Sequence, residues 1–128
     1  MTEEEQCVAG TIALALVSIS LGAVGQFLLK VGVNRIGGIA FKRAELVSTV
    51  GKIATQPFIV VGILLFVLSM VIWLAVLSKM ELSRAYPMVS ISYVLVALMA
   101  RYFLGEPLAW IRLIGIAVIL VGVILVNV

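Results

Sequence analysis

Polar side chains recur at helical spacing inside an otherwise apolar part of this sequence. Tyr86, Ser90, Tyr93, Ala97 and Arg101 follow one another at steps of four, three, four and four residues, so they share one face of a helix. Hydroxyl, phenol and guanidinium groups offer hydrogen bonds and one positive charge. Because a lipid-facing surface needs none of these, we expect this face to form one wall of a polar pocket.

A second polar stripe lies in the first apolar stretch, where Ser18, Gly22, Gln26 and Lys30 repeat every four residues. Gln26 offers neutral hydrogen bonds within this stretch, and Lys30 adds a positive charge at its end. The pattern predicts a second lined helix facing the first one. The alternative for Gln26, Ser90 and Tyr93 is ordinary hydrogen bonding between membrane helices, which contributes about 0.6 kcal/mol on average.

The composition places these stripes in a membrane protein. Of the 128 residues, 64% are hydrophobic and 12% are charged, whereas soluble domains carry about 25% charged residues. The apolar residues come in long uncharged blocks, which is typical of membrane-spanning helices and not of a barrel. With no histidine and one cysteine, the chain offers no metal site and no internal disulfide, and the sequence predicts no cofactor.

The elements that must position the stripes are four spans. We expect an all-α integral membrane fold in which a solvated tail, residues 1–7, precedes a single four-helix domain, residues 8–128. The spans are predicted at about 8–32, 57–78, 84–104 and 110–128. The first loop mixes basic and apolar residues, which favours a short helix lying in the membrane interface.

The distribution of positive charge predicts how these spans are oriented. Both termini and the second loop share one side, and loops one and three share the other. Seven Lys or Arg residues fall on the side of loops one and three, against Lys79 and Arg84 opposite. Positive charge accumulates in the cytoplasm, so we expect both termini outside.

Small residues in the fourth span indicate close helix packing. Gly115 and Gly122 lie two turns apart with Ala117 nearby, and small residues let helix backbones approach in lipid. We predict that this span forms a dimer interface; packing within the chain is the alternative.

Several short motifs are similar to a known family. The motifs G-Q-F-L-L-K at 25–30, A-Y-P-M at 85–88 and L-G-E-P at 104–107, with the glycine-spaced fourth span, resemble the drug/metabolite transporter superfamily. The four-helix size resembles its small multidrug resistance-like branch, and the motif order most resembles the subunits that flip aminoarabinose-phosphoundecaprenol. The resemblance implies a bacterial inner-membrane protein, a lipid-linked sugar substrate, and a homodimer or a heterodimer with a paralogous four-helix subunit.

One departure distinguishes the branches of that family. Proton-coupled small multidrug exporters use a glutamate in the first helix to bind cations and protons, and the resemblance places Gly22 at that position. A buried carboxylate is what allows a membrane site to bind a cation and to titrate. Its replacement by glycine weighs against drug and proton exchange.

The resemblance gives the polar residues specific candidate roles. Lys30 and Arg84 would receive a phosphate before and after crossing, or else anchor the helices at the boundary. Glu81 and Glu106 would meet a sugar amine or form structural salt bridges. Trp73 would stack on a sugar ring or pack, and Tyr86 would line the cavity or pack. The candidate binding residues are therefore Gly22, Gln26, Lys30, Trp73, Glu81, Arg84, Tyr86, Ser90 and Tyr93.

The expected function is that of a flippase subunit moving a polyprenyl-phosphate sugar, most simply an aminosugar, between leaflets. An exporter of small amphipathic or cationic compounds is the first alternative, and a non-transporting accessory subunit is the second. The sequence contains no nucleophile–base pair, phosphate-binding loop or metal-ligand spacing, so we expect no catalytic residues and no enzyme. Its positive charge belongs at membrane edges, and we expect no nucleic-acid partner.

Overall fold

The computed structural model describes residues 2–39 and 42–128. Within these residues the elements are α1 (Glu3–Arg35), α2 (Leu46–Thr55), α3 (Pro57–Leu77), α4 (Leu82–Val89), α5 (Ile91–Phe103) and α6 (Trp110–Asn127). Four helical segments are long and apolar enough to cross a membrane: α1, α3, α4 with α5, and α6. The predicted all-α architecture with four spans and a short additional helix is confirmed.

Helix α1 is longer than its span because both of its ends have helix-forming signals. Thr2 and Glu5 form a reciprocal capping box at the start, which satisfies otherwise free backbone N–H groups. Residues 3–7, expected as a tail, are therefore helical, and they are exposed. At about 1.5 Å per residue α1 measures about 50 Å, well beyond a hydrocarbon core of about 30 Å. Gly37 and Gly38, both at positive φ, follow the end of α1 and turn the chain.

Helices α1 and α3 form the most closely packed pair. A Cβ atom added to Gly25 would lie 2.9 Å from the carbonyl oxygen of Gly62, so only glycine allows the two backbones to approach this closely. Nearer the helix centres, the Ser18 hydroxyl donates to the Ser69 carbonyl at 2.7 Å and the Ser69 hydroxyl donates to the Ser18 carbonyl at 2.8 Å. Small residues and interhelical hydrogen bonds are what join helices in lipid.

The third span is interrupted near its middle. Pro87 lies inside α4, and Ser90 separates α4 from α5. A proline removes one backbone donor and perturbs the preceding turn, which accounts for the interruption. Met88 of α4 is buried with Ala15, Ile19 and Val76, and these four residues form the main apolar core.

Helix α6 is held at the edge of the bundle. It contacts α4 and α5, and none of its residues is buried. Added Cβ atoms at Gly115 and Gly122 would meet nothing within 4 Å. The small residues of α6 therefore do not serve packing within the chain.

The short helix α2 lies at the start of α3 and buries none of its residues. It begins later than the basic stretch that predicted it, which starts at Phe41, outside the described residues. Its amphipathic composition and its exposed Val47 and Val50 are those of a helix at the membrane interface.

Candidate functional site: a polar lane between charged ends

A central cavity of about 160 Å³ lies between α1, α3 and the third span. Its walls carry four polar side chains, a glycine and an indole: Ser18, Gln26, Ser69, Ser92, Gly22 and Trp73. Gly22 leaves room for the Ser69 hydroxyl, because an added Cβ would lie 3.0 Å from it. The cavity is thus small and carries a few polar groups on a largely apolar wall.

The serines of this cavity differ in their hydrogen bonds. Ser18 and Ser69 hydrogen-bond each other's carbonyl groups and hold α1 against α3. No hydrogen bond within the described residues engages the hydroxyl of Ser92, although Ser92 is only 9% exposed. Every fully enclosed polar side-chain atom in these residues has a partner, so the Ser92 hydroxyl must reach open space, and the cavity is that space.

A larger cavity of about 540 Å³ lies between α1, α5 and α6, at the end formed by loops one and three. Its polar lining consists of Gln26, Tyr93, Arg101, Glu106 and Arg112. The turn after α5 places these charges together: Gly105 has φ +66°, and the Glu106 N–H donates to the Ala100 carbonyl at 3.1 Å. Two guanidinium groups and one carboxylate suit a head group that carries both signs of charge.

Gln26 is the one described residue that lines both of these cavities. Its amide can donate and accept hydrogen bonds without carrying charge. The two cavities thus meet at one side chain of α1, and together we call them the lane; it is charged at its end and neutral at its centre.

A third cavity, of about 200 Å³, lies at the opposite end, where α1 begins and α6 ends. Lys79, Glu81 and Arg84 line it together with Thr11 and Asn127. The Arg84 guanidinium donates to the Asn127 carbonyl at 3.3 Å, and so places positive charge at the C-terminal end of α6, where a helix favours it. Each end of the bundle thus has two cations and one carboxylate beside a cavity.

The sequence of the chain matches the family model described as "EamA-like transporter family" over residues 6–128. The chain belongs to the EamA-like transporter family. No solved structure matches it.

Similar proteins are named as subunits of one kind of flippase. Two proteins named probable 4-amino-4-deoxy-L-arabinose-phosphoundecaprenol flippase subunit ArnF are similar to the chain. The protein from Shewanella sediminis is 39% identical, over 90% of this chain and 86% of its own length. The protein from Proteus mirabilis is 35% identical, over 88% of each. A Serratia proteamaculans protein named as the ArnE subunit is 36% identical over 66% of this chain and 73% of its own. The expected resemblance to aminoarabinose-phosphoundecaprenol flippase subunits is confirmed.

In this EamA-like chain the structure distributes the predicted binding residues among the three cavities. Gly22, Gln26 and Trp73 line the central one, and Tyr93 joins Gln26 in the charged one. Glu81 and Arg84 line the opposite one. Their roles in binding remain predictions.

Three predicted residues lie elsewhere. Lys30 is exposed, one helical turn beyond Gln26, and lines none of the three cavities. Tyr86 packs edge-on against Trp73, with ring centroids 6.5 Å apart. Ser90 marks the interruption between α4 and α5 and lines none of these cavities. Of the stripe from Tyr86 to Arg101, only the residues from Tyr93 onward therefore line a cavity.

Sequence reasoning did not assign Ser69, Ser92 or Arg112 to the site. Ser69 is the single polar residue in the middle of a very apolar span, and this isolated polarity is the feature of the sequence that could have indicated its role. Ser92 is not one of the stripe positions, and the interruption of the helix at Ser90 means that helical spacing does not predict its place in the cavity wall. Arg112 reaches the cavity through the turn at Gly105, which spacing along one helix does not describe. Within residues 2–39 and 42–128, no group of three His, Cys, Asp or Glu side chains is placed to hold a metal ion.

Proposed function

We propose that this chain is one subunit of a bacterial inner-membrane flippase that moves a polyprenyl-phosphate aminosugar between leaflets, without enzymatic chemistry. The names of the ArnF and ArnE relatives support the substrate class. The observation that carries the proposal is the lane itself: Gln26 joins a charged end cavity to a neutral central cavity. A head group needs polar partners along its path to pass through hydrocarbon.

The charged cavity suits the two charges of the head group. Arg101 and Arg112 would hold the phosphate through charge-assisted hydrogen bonds, and Glu106 would meet the sugar amine. Transfer of an unsatisfied polar group into hydrocarbon costs several kcal/mol. Hydrogen bonds from the lane offset that cost, while the polyprenyl tail stays among the acyl chains.

The positions of the acidic residues favour this function over export of cations coupled to protons. All six glutamates of the sequence lie outside the four predicted spans. At the position where the exporters have their glutamate, Gly22 packs against Ser69. A cationic drug would find no buried carboxylate along the lane.

We propose that the working unit is a pair with an ArnE-type paralogue. Similarity to relatives named as either subunit supports this pairing. The exposed α6, with open space at Gly115 and Gly122 and an exposed Ala117, provides the surface. The excess of Lys and Arg on the side of loops one and three supports an orientation with both termini outside.

A reconstitution experiment tests the function. The chain and an ArnE-type partner are placed in proteoliposomes with a lipid-linked aminosugar carrying a label on the sugar, and the fraction open to an external amine reagent is followed with time. We expect rapid exchange with the pair and slow exchange in empty vesicles. Gln26→Leu should slow the exchange about 5- to 150-fold, since a head group left with one unsatisfied buried polar group costs about 1–3 kcal/mol.

The matched control is Val24→Leu, which alters an exposed apolar residue of α1 two positions away. This variant should flip at the normal rate. Exchange by the pair no faster than in empty vesicles would contradict the proposal. Normal exchange by Gln26→Leu would contradict the lane.

A further inference from the structure

The central cavity contains one hydroxyl group that is held in place but has no partner. Several hydroxyl groups of the helices donate to carbonyl groups of their own helix, as Thr11 does to Cys7 at 2.9 Å and Ser20 to Leu16 at 2.7 Å. Ser92 makes no such bond, is only 9% exposed and lines the cavity. Its oxygen opens to the cavity, so a ligand there can form a hydrogen bond with it, and such a bond strengthens binding about two- to tenfold.

An aromatic platform lies in the same cavity. Trp73 forms part of its wall, and the edge-on contact with Tyr86 at 6.5 Å restrains the indole ring. Aromatic rings offer a large, rigid apolar surface at little conformational cost. The C–H face of a sugar ring is a suitable partner for such a surface, while its hydroxyl groups point to the rim.

The size and charge of the cavity limit the kinds of ligand that it can bind. Its volume is about 160 Å³, and an apolar cavity of about 150 Å³ holds one benzene ring. One six-membered sugar ring therefore fills this volume, and a second ring would lie outside it. None of the described residues that line it is ionisable, so it offers neutral hydrogen bonds and no opposite charge for the phosphate.

We infer that the central cavity is a binding subsite for a single monosaccharide ring, with the ring against Trp73 and one sugar hydroxyl bonded to Ser92. The inference rests on the proposed function and adds a size limit to it: lipid-linked disaccharides are excluded. The phosphate remains outside this subsite, in the charged cavity, which it reaches past Gln26.

Trp73 itself reports on the subsite. The chain has two tryptophans, and Trp110 is 82% exposed, so Trp110→Phe leaves Trp73 as the single emitter. In lipid nanodiscs this variant is titrated with farnesyl phosphate bearing an aminopentose, with farnesyl phosphate alone, and with farnesyl phosphate bearing a disaccharide. We expect a saturable change in Trp73 emission with the first lipid only. An equal change with farnesyl phosphate alone would overturn the subsite. An equal change with the disaccharide lipid would overturn its size limit.

Ser92→Ala tests the hydrogen bond while leaving the cavity open. We expect its affinity for the aminopentose lipid to fall about two- to tenfold, with an unchanged Tm in detergent, which shows that the variant is folded. Ser20→Ala, whose hydroxyl is bonded on an exposed face of α1, is the matched control and should bind normally. Wild-type affinity of Ser92→Ala for the aminopentose lipid would overturn the assignment.

These outcomes separate the subsite from the proposed function. Flipping by the pair without a response of Trp73 or an effect of Ser92→Ala would leave the function intact and overturn the subsite. A Trp73 response that Ser92→Ala weakens, from a pair that does not flip the lipid, would support the subsite and overturn the function.

Discussion

At the scale of single residues, charge and neutrality are separated along the lane. The guanidinium groups of Arg101 and Arg112 lie at one end. The ammonium group of Lys79 and the guanidinium group of Arg84 lie at the other, and hydroxyl and amide groups lie between. A charged head group is therefore met by opposite charge where water is near. Only hydrogen bonds meet it at depth, where an unpaired protein charge would be most costly.

The arginines of the charged cavity should determine phosphate recognition. We predict that Arg101→Gln and Arg112→Gln each slow flipping about tenfold, because hydrogen bonds to charged groups contribute about 1.5–3 kcal/mol. The measurement is the proteoliposome exchange rate of each variant. Lys52→Gln, which removes an exposed cation from α2, should leave the rate unchanged. Equal losses in all three variants would indicate a general effect of surface charge.

At the scale of elements, α1 and α3 act as one rigid unit, and the interrupted third span and α6 are less firmly attached. Glycine contacts and reciprocal serine bonds join the rigid pair. The third span is broken at Ser90 and α6 buries no residue. Movement that opens the lane is therefore expected between α5 with α6 and the α1–α3 pair.

The close contact of the rigid pair should not tolerate a methyl group. Gly25→Ala would place a Cβ 2.9 Å from the Gly62 carbonyl, and we expect a loss of about 1–3 kcal/mol, since overpacking usually costs this much. Thermal unfolding in detergent measures it as a lower Tm. Gly10→Ala, where an added Cβ meets nothing within 4 Å, is the control and should be neutral or slightly stabilising. Equal Tm values for the two variants would contradict the packing.

The serine pair should show energetic coupling. In a double-mutant cycle of Ser18→Ala and Ser69→Ala, we expect a coupling free energy of about 1 kcal/mol, within the range measured for hydrogen bonds between membrane helices. Unfolding of the four proteins of the cycle, followed by denaturant titration, gives the value. Additive losses would mean that the two hydroxyl groups act independently.

The elements were predictable where length and hydrophobicity alone decide them. Long uncharged blocks led to four spans, and a basic, apolar loop to α2. The four-residue repeat of α1 placed Gly22 and Gln26 on one face, and both residues line the central cavity. The stripe of the third span held only from Tyr93, because Pro87 and Ser90 interrupt the helix and shift the residues before them.

The cavities themselves depend on contacts between elements, which periodicity does not contain. Ser69 was not assigned to the site because its role depends on the register of α3 against α1, which the glycine contacts fix. Arg112 joins Arg101 through the turn at Gly105. Lys30 shares the face of Gln26, yet it is exposed, although α1 still packs against α3 there through Gly32 and Ile59.

At the scale of the whole molecule, the chain has an open side. The charged cavity is bordered by α6, whose face at Gly115 is uncovered. A second subunit packed there would close the lane toward lipid. The pair with an ArnE-type partner, and not the single chain, would then form the complete pathway.

Bulk on this face should prevent assembly. We predict that Gly122→Leu lowers recovery of a co-expressed ArnE-type partner in affinity purification by severalfold, because close backbone approach in lipid needs small residues. Since an added Cβ meets nothing within the chain, the Tm of the isolated chain should not change. Ile124→Phe adds bulk on the opposite face of α6 and should leave recovery unchanged. Normal recovery with Gly122→Leu would place the interface elsewhere.

The central claim is that Gln26 faces a hydrated lane and not lipid, and cysteine accessibility tests it most directly. Cys7 is the single cysteine of the sequence and is exposed, so Cys7→Ser provides a background into which Gln26→Cys or Val24→Cys is introduced. The pair in proteoliposomes is treated with a charged, membrane-impermeant thiol reagent. We predict rapid labelling of the Gln26→Cys variant that the lipid-linked aminosugar slows, and little labelling of the Val24→Cys variant. Equal labelling of the two, or labelling at position 26 that substrate does not change, would contradict the account.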